Sequence, residues 1–507
     1  MIRRFRALAA LAALALAATP ALAEPAQVKV ESGALAGVQA NGVAIFRAVP
    51  YAAPPVGRLR WAPPARPLAW TGARAADKAG PSCPQPMNAD GSPNLGAANG
   101  PMSEDCLQLN VFAPTGVHKA PVMVWLHGGA FRYGAGWVYD GSQFARDGVV
   151  VVAINYRLGP LGYFAHPALI KAARPGEAVG NYGVMDQIAA LQWVKRNIKA
   201  FGGDPANVTV AGESAGAMSA LALLSTPSTK GLYRRAIVES GGGWSPPMSL
   251  AAKAEEGARA IQSLGLPAEV TVDQLRALPV ETLIARLGGG YGPFSDGRLL
   301  PRTPAQAFAA GKVHDVPLII GSNSGEDSLM GEFGSDPKAL AAALSPPLRA
   351  LYADEAAQGE DTLGRVVFGD QVMGAPARWI AARAAGGQPA WLYHFSYIGS
   401  RFRPRFTRAF HAAEIQYVFE YWGRRTPMSL VSDEDKAMAG LMHSCWVAFI
   451  KTGTPACASG PAWPAYAPAS DQLMEFGNGN GVRSQFHKAR LDAQEAQVLP
   501  TLALPVK

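Results

Sequence analysis

The sequence predicts an α/β fold: a doubly wound, mostly parallel sheet with helices on both faces and a small antiparallel region at the N-terminus. Continuous runs of Val, Ile and Leu, bounded by Gly and Pro, recur along the chain. Such runs are typical of strands that are covered on both faces. Helical patterns lie between several of these runs, and an alternation of strands with helices favours a parallel sheet.

The first residues have the pattern of an export signal. MIRRFR is basic, ALAALAALALAA is apolar but short for a membrane anchor, and Ala21-Leu22-Ala23 is a small-x-small cleavage site. We expect residues 1–23 to be a cleaved signal peptide and the protein to be periplasmic or secreted. Residues 24–507 are expected to form a single domain, since neither an internal repeat nor a flexible linker interrupts them.

The elements of the predicted sheet follow in order. Two short β-type runs, VKVESGALAGVQ and GVAIFRAVPYA, indicate the antiparallel N-terminal region, and a Pro-rich stretch comes after them. The buried-type strands are predicted at 121–129, 148–156, 206–212, 234–240, 316–323 and 389–397. Helical spacing of apolar residues is found at 183–201, 251–264 and 433–451.

Composition and charge exclude several classes of protein. Hydrophobic residues make up 49% of the chain and charged residues 17%, which describes a globular protein with a large core. The net charge of +8 falls to +5 when Arg3, Arg4 and Arg6 of the leader are removed. The remaining Lys and Arg are scattered among acidic residues, so no nucleic-acid partner is indicated. No run after the leader is apolar enough for stable membrane insertion.

Four cysteines are expected to be oxidised in an exported protein. They are Cys83, Cys106, Cys445 and Cys457, and four cysteines allow three pairings. Proximity in the sequence favours Cys83–Cys106 and Cys445–Cys457. The spacing has neither the CxxC form nor partner histidines, so no metal site is expected.

The segment ANVTVAGESAGAMSALALLS places a serine between a predicted strand and a predicted helix. A G-x-S-x-G pattern arises by chance in a Gly-rich chain, so this context is what gives the pattern meaning. Gly212 and Gly216 leave room for a sharp turn that exposes the hydroxyl of Ser214. The backbone N–H of Ala215 would then point to where an oxyanion forms. Ser214 is therefore the predicted nucleophile.

A second set of N–H donors is predicted at WLHGGAF, residues 125–131, which follows a strand. On its own this is as well explained by an ordinary Gly-Gly turn. Together with the Ser214 turn it indicates an oxyanion hole, with Gly129 and Ala130 as donors and Gly128 shaping the loop.

A serine nucleophile needs a base and an acid that orients the base, and the expected chain order is Ser, acid, His. Among the histidines that follow Ser214, His411 lies at a loop-to-helix transition and is the predicted base, whereas His443 falls inside an amphipathic helix. Glu326, in a Gly/Ser/Asn loop after a strand, is the predicted acid. Its neighbour Asp327 is the alternative.

The chain resembles the type-B carboxylesterase/lipase family, the α/β-hydrolases that include cholinesterases and bacterial para-nitrobenzyl esterases. The similarity covers nearly the whole mature chain and includes these segments: AVPYAAPPVGRLRWAPP, SEDCLQLNVFAP, PVMVWLHGGAF, VVAINYRLGPLGYFAHP, GNYGVMDQIAALQWVKRNIKAFGGDPANVTVAGESAGAMS, DVPLIIGSNSGED and FHAAEIQYVF. It implies a Ser214–Glu326–His411 triad, an oxyanion hole and a Cys83–Cys106 disulfide. It also implies ester hydrolysis through an acyl-enzyme without a cofactor or metal, by a monomer or weak homo-oligomer.

The chain departs from the family pattern in two places. The oxyanion loop reads Gly-Gly-Ala where many relatives have three glycines, and the acid is followed by Asp327 where relatives usually have Gly. The loop between Cys83 and Cys106 contains no Phe, Tyr or Trp, which disfavours a choline ester.

The expected substrate is a small-molecule ester with a short to medium chain or a bulky hydrophobic group. By their position in the family pattern, Trp137, Trp244 and Phe368 are candidate pocket residues, and an ordinary core side chain is the alternative interpretation of each. Amide or lactone hydrolysis by the same triad is the alternative activity, and a non-catalytic binding module is the least favoured reading.

Overall fold

The computed structural model is built around one large sheet. It describes residues 24–504 apart from 89, 91, 93, 95, 97, 268, 424, 425 and 478, so the predicted signal peptide lies outside the described residues. The strands of the sheet are Glu24–Val30 (β1), Gly33–Ala40 (β2), Val43–Pro50 (β3), Ala73–Ala75 (β4), Gln108–Pro114 (β5), Ala120–Leu126 (β6), Val150–Ile154 (β7), Gly203–Glu213 (β8), Arg235–Glu239 (β9), Leu318–Asn323 (β10), Ala390–Phe395 (β11), Gln472–Phe476 (β12) and Gly481–Ser484 (β13).

The centre of the sheet is parallel and its two edges are antiparallel. The strand order is β1-β2-β3-β5-β7-β6-β8-β9-β10-β11-β12-β13, and β4 pairs with β2 outside this path. Every pair from β7 to β12 is parallel, whereas β1, β2, β3 and β5 pair antiparallel with one another along this path, and β5 also pairs antiparallel with β7. The antiparallel pairs of β1, β2 and β3 are the N-terminal region that the sequence predicts, whereas β5 was not predicted. The antiparallel β12–β13 hairpin at the far edge was not predicted.

Helices cover both faces of this sheet. They are Ser142–Arg146 (α1), Gly159–Gly162 (α2), Pro167–Ala172 (α3), Tyr182–Asn197 (α4), Ala215–Leu224 (α5), Leu250–Gln262 (α6), Val272–Arg276 (α7), Val280–Arg286 (α8), Pro304–Ala309 (α9), Pro337–Ala342 (α10), Pro346–Ala350 (α11), Ala353–Ala357 (α12), Glu360–Gly369 (α13), Ala375–Ala384 (α14), Ile415–Val418 (α15), Asp433–Thr452 (α16) and Lys488–Val498 (α17). A π-helical turn, Asp370–Gly374, joins α13 to α14.

Two apolar layers, one on each face of the sheet, explain why the sequences of the strands are continuous hydrophobic runs. Val124 of β6 packs into the layer formed with α4, α5 and α14. Its neighbour Trp125 packs into the opposite layer, which contains Phe144 of α1 and the buried face of α16. Because successive side chains of a strand point to opposite faces, both must be apolar when both faces are covered.

Two disulfides close short segments at the edge of these layers. Cys83 pairs with Cys106, and Cys445 of α16 pairs with Cys457, which are the pairings that proximity predicts. Among the described residues, no helix is both long and apolar enough to cross a bilayer.

Candidate active site

The strand β8 and the helix α5 are joined by a single residue, Ser214. Its φ of 55° and ψ of −123° lie in a region that L-residues rarely adopt and that costs about 1–3 kcal/mol. The Ser214 N–H donates to the carbonyl of Glu239 at 2.8 Å, which ties the turn to β9. A Cβ atom on Gly212 would lie 2.5 Å from the backbone of Gly216, so this tight approach of strand and helix needs glycine. The predicted turn is therefore present, with Ser214 at its apex.

The structure brings His411 and Glu326 into direct contact. His411 Nδ1 lies 2.6 Å from Glu326 Oε2. The other oxygen of this carboxylate, Oε1, accepts hydrogen bonds from Ser240 Oγ at 2.6 Å and from the Asn323 N–H at 2.8 Å. The carboxylate has 1% of its surface exposed, so its orientation is fixed by these partners.

Burial alone would raise the pKa of Glu326, but the charge and hydrogen bond of His411, with Ser240 and Asn323, hold it below its usual value. For His411 burial lowers the pKa, and the carboxylates of Glu213 and Glu326 outweigh it, so that the pKa is well above its usual value. This pair therefore favours an ionised acid beside an imidazole that readily takes up a proton.

A further carboxylate faces the other nitrogen of the same ring. Glu213 Oε1 lies 3.0 Å from His411 Nε2, without the geometry of a hydrogen bond. Glu414 lies behind it, where burial and the charge of Glu213 raise the pKa to about 8. Burial, with the charge of Glu414, also raises the pKa of Glu239 well above its usual value. Three buried carboxyl groups, Glu213, Glu326 and Glu414, thus interact with His411, and only Glu326 was singled out by the sequence.

The loop after β6 supplies backbone donors near Ser214. Gly129 has φ 107° and Ala130 φ 53°, which turns successive N–H groups to one side. Among the described residues, no acceptor pairs with the N–H of Gly129, Ala130 or Ala215. A Cβ atom on Gly128 would lie 3.1 Å from Ser214 Cβ, so the loop passes close to the serine.

The chain is similar to known proteins over most of its length. The model of the carboxylesterase family matches residues 24–360 and 348–494. The chain belongs to the carboxylesterase family.

Its relatives cover most of its length. The para-nitrobenzyl esterase of Bacillus subtilis (strain 168) is 38% identical over 465 residues, 87% of this chain and 92% of that protein. The fumonisin B1 esterase of Sphingopyxis macrogoltabida is 35% identical over 89% of this chain and 86% of that protein. A solved PNB esterase structure superposes with a TM-score of 0.77 at 35% identity, covering 92% of this chain and 99% of its own. The fold is thus that of an α/β-hydrolase, and the protein is a carboxylic ester hydrolase.

Asp327, the alternative acid, and His443, the histidine of α16, have other partners. Asp327 Oδ2 contacts Arg408 at 3.1 Å and Arg365 at 3.4 Å, so it faces two guanidinium groups rather than His411. His443 is buried in α16, with its Nε2 2.9 Å from Asp147 and its Nδ1 2.7 Å from a backbone carbonyl. Both placements favour Glu326 and His411 for the acid and the base of this carboxylesterase.

The three predicted pocket residues are packed in different places. Trp137 donates its indole N–H to Ser82 Oγ at 2.9 Å, next to the Cys83–Cys106 disulfide. Trp244 lies 6.2 Å from Trp379, measured between ring centroids. Phe368 is buried, and its ring centroid lies 5.6 Å from that of Phe333. Contact of these side chains with substrate stays a prediction.

Proposed function

We propose that this carboxylesterase uses Ser214 as nucleophile, His411 as general base and Glu326 as the acid that orients it. The observation that carries this proposal is the 2.6 Å contact between His411 Nδ1 and Glu326 Oε2, in a site where the strained turn exposes Ser214. With Nδ1 held by the carboxylate of Glu326, Nε2, which lies 3.0 Å from Glu213 Oε1 without a hydrogen bond to it, is the ring nitrogen that exchanges a proton with the reacting groups.

The reaction proceeds in two halves. His411 Nε2 takes the proton of Ser214 Oγ as that oxygen attacks the ester carbonyl carbon, and the hydrogen bond between them forms in the substrate complex. The oxyanion accepts hydrogen bonds from the N–H groups of Gly129, Ala130 and Ala215, each contributing roughly 3–4 kcal/mol. The alcohol leaves with the proton from His411. Water then attacks the acyl-enzyme by the same route, releasing the carboxylic acid and regenerating the serine.

The substrate class proposed is esters with short to medium acyl chains. A cavity of about 190 Å³ lies beside the helix that follows Ser214, and its walls include Met218, Leu221, Lys253, Tyr291 and Phe294. The proposed triad does not line this cavity, and Met218, one turn after Ser214, is the lining residue nearest to it in the sequence. Sites that bind drug-sized molecules have volumes of roughly 300–1,000 Å³, so this cavity suits a small apolar group better than a palmitoyl chain.

A series of para-nitrophenyl esters from acetate to palmitate tests the substrate class. We expect kcat/KM to be highest between the short and medium chains and to fall steeply toward palmitate, because the cavity restricts the apolar group. Ser214→Ala measured in parallel gives the background. A maximum at palmitate would contradict the proposed class, and turnover of amides or lactones in preference to every ester would favour the alternative activity.

The carboxylates around His411 predict an unusual pH dependence. Activity needs the neutral imidazole, so a raised pKa means that kcat/KM is lost as the pH falls through a value above the usual 6.5 of histidine. In Glu213→Gln one of the two carboxylates that raise this pKa is removed, and we expect the acidic limb to move to lower pH. The pH–rate profiles of both proteins measure this, and an unchanged limb would show that Glu213 does not act on the base.

The leader supports export as part of the proposed function. N-terminal sequencing of the protein recovered outside the cytoplasm should begin at Glu24. A product that retains Met1 would contradict cleavage.

A further inference from the structure

Two segments carry the proposed acid and base, and neither belongs to a long helix or strand. The acid segment, residues 323–328, begins at the last residue of β10. The base segment, residues 408–411, lies in the loop between β11 and α15. Four neutral hydrogen bonds join the segments: Gly325 N–H to Ala409 C=O at 2.7 Å, Ala409 N–H to Ser324 Oγ at 3.0 Å, His411 N–H to Ser328 Oγ at 2.9 Å, and Asn323 Nδ2–H to Phe410 C=O at 3.0 Å.

One ion pair also crosses between them. Asp327 Oδ2 lies 3.1 Å from Arg408 Nη2, and the two side chains are 13% and 23% exposed. Apart from the contact of Glu326 with His411, this is the one charged link between the acid and base segments in the described part of the chain. Asp327 is adjacent to Glu326, and Arg408 precedes His411 by three residues. The ion pair is therefore made beside the acid–base contact itself.

We propose that Asp327 is a positioning residue for ester hydrolysis: its ion pair with Arg408 holds the base segment so that His411 meets Glu326. This inference rests on the roles proposed above for Glu326 and His411. The neutral hydrogen bonds involve the backbone on at least one side, whereas the ion pair joins two side chains that extend outward from the segments. It thus adds a charged restraint to the hydrogen bonds that join the two segments.

The position of Asp327 also explains why two adjacent carboxylates do not compete for one imidazole. The short helical turn Glu326–Leu329 directs Glu326 inward to His411 and Asp327 outward to the guanidinium groups. A glycine at position 327, as the family pattern has, could not make this ion pair.

The test is a double-mutant cycle with Asp327→Asn and Arg408→Gln, measured with a para-nitrophenyl ester. We expect each single variant to lose about tenfold in kcat with KM nearly unchanged, because a small misplacement of a catalytic group slows the chemical step more than binding. The double variant should be no slower than the slower single variant, since both changes break the same contact. Arg408→Lys, which keeps the charge, should restore most of the kcat.

Asp361→Asn is the matched control. Asp361 lies 2.6 Å from Arg365, the second partner of Asp327, but it is half exposed and does not touch the base segment. This variant removes an acidic partner from the same cluster of charges, and we expect its kcat to equal that of the wild type.

The direction of the pH shift separates positioning from a simple charge effect. The charged groups that act on His411 are Glu213, Glu326 and Glu414. By charge alone, Asp327→Asn would lower the pKa of His411 and Arg408→Gln would raise it. If both variants instead loosen the contact with Glu326, both move the acidic limb of kcat/KM to lower pH.

Additive losses in the cycle, opposite pH shifts or an equal loss in Asp361→Asn would overturn the positioning role. Failure of the underlying mechanism has a different signature. In that case Ser214→Ala or His411→Ala would keep substantial turnover. The results for the Asp327 and Arg408 variants have no bearing on that outcome.

Discussion

Replacing Ser214 by Ala is expected to reduce kcat by more than about 10³-fold, toward the millionfold loss seen when a serine hydrolase loses its nucleophile. The change removes the only atom that would bond to the acyl group, and leaves the backbone donors of the oxyanion hole in place. Residual turnover would then reflect stabilisation of the oxyanion during attack by water. Initial rates with a para-nitrophenyl ester measure the loss, and the burst of para-nitrophenol expected from acyl-enzyme formation should disappear.

The variant also has a clear structural expectation. Alanine, like serine, carries a Cβ atom, so the cost of the backbone at φ 55° remains and the melting temperature should change little. Turnover above about a thousandth of the wild-type rate, in a protein that melts normally, would point to another nucleophile.

The sequence allowed the sheet and the nucleophile turn to be predicted because the relevant signals are local. Val208–Ala211, Ser214 and the small residues after it specify strand, turn and helix within a short stretch. The buried parallel strands can likewise be recognised from the sequence, since a parallel strand covered on both faces must be apolar throughout. The antiparallel edge β12–β13 was missed because no residue of β13 is buried and only three of the five residues of β12 are, so neither strand is a continuous apolar run.

The carboxylates around His411 could not be predicted from local signals. Glu213 precedes Ser214 in the quoted motif, yet a carboxylate beside a serine says nothing about which histidine will face it. Its proximity to His411 depends on β8 and the base segment meeting in space. The raised pKa values of Glu414 and Glu239 could not be predicted for the same reason, because they arise from burial and from carboxylates that lie far away in the sequence. The ion pair of Asp327 likewise depends on residues far apart in the chain.

Replacing His411 is the second change with a very large expected effect. Without the imidazole no group remains to take the proton of Ser214 Oγ, so we expect kcat to fall about as far as in Ser214→Ala. In His411→Ala the carboxylate of Glu326 also loses the partner that holds its pKa down, although it stays buried. An uncompensated buried carboxylate is costly, so this variant should also be less stable than the wild type.

His411→Gln separates the two effects, because its amide can donate to Glu326 while it cannot act as a base. We expect it to be as inactive as His411→Ala and closer to the wild type in melting temperature. The matched control is His443→Gln, which changes the buried histidine of α16 that contacts Asp147. That variant should lose stability and keep kcat within a few fold, since α16 contributes no group to the proposed proton path. If kcat instead collapsed in His443→Gln and survived in His411→Gln, the base would be His443, and the contact of His411 with Glu326 would be structural.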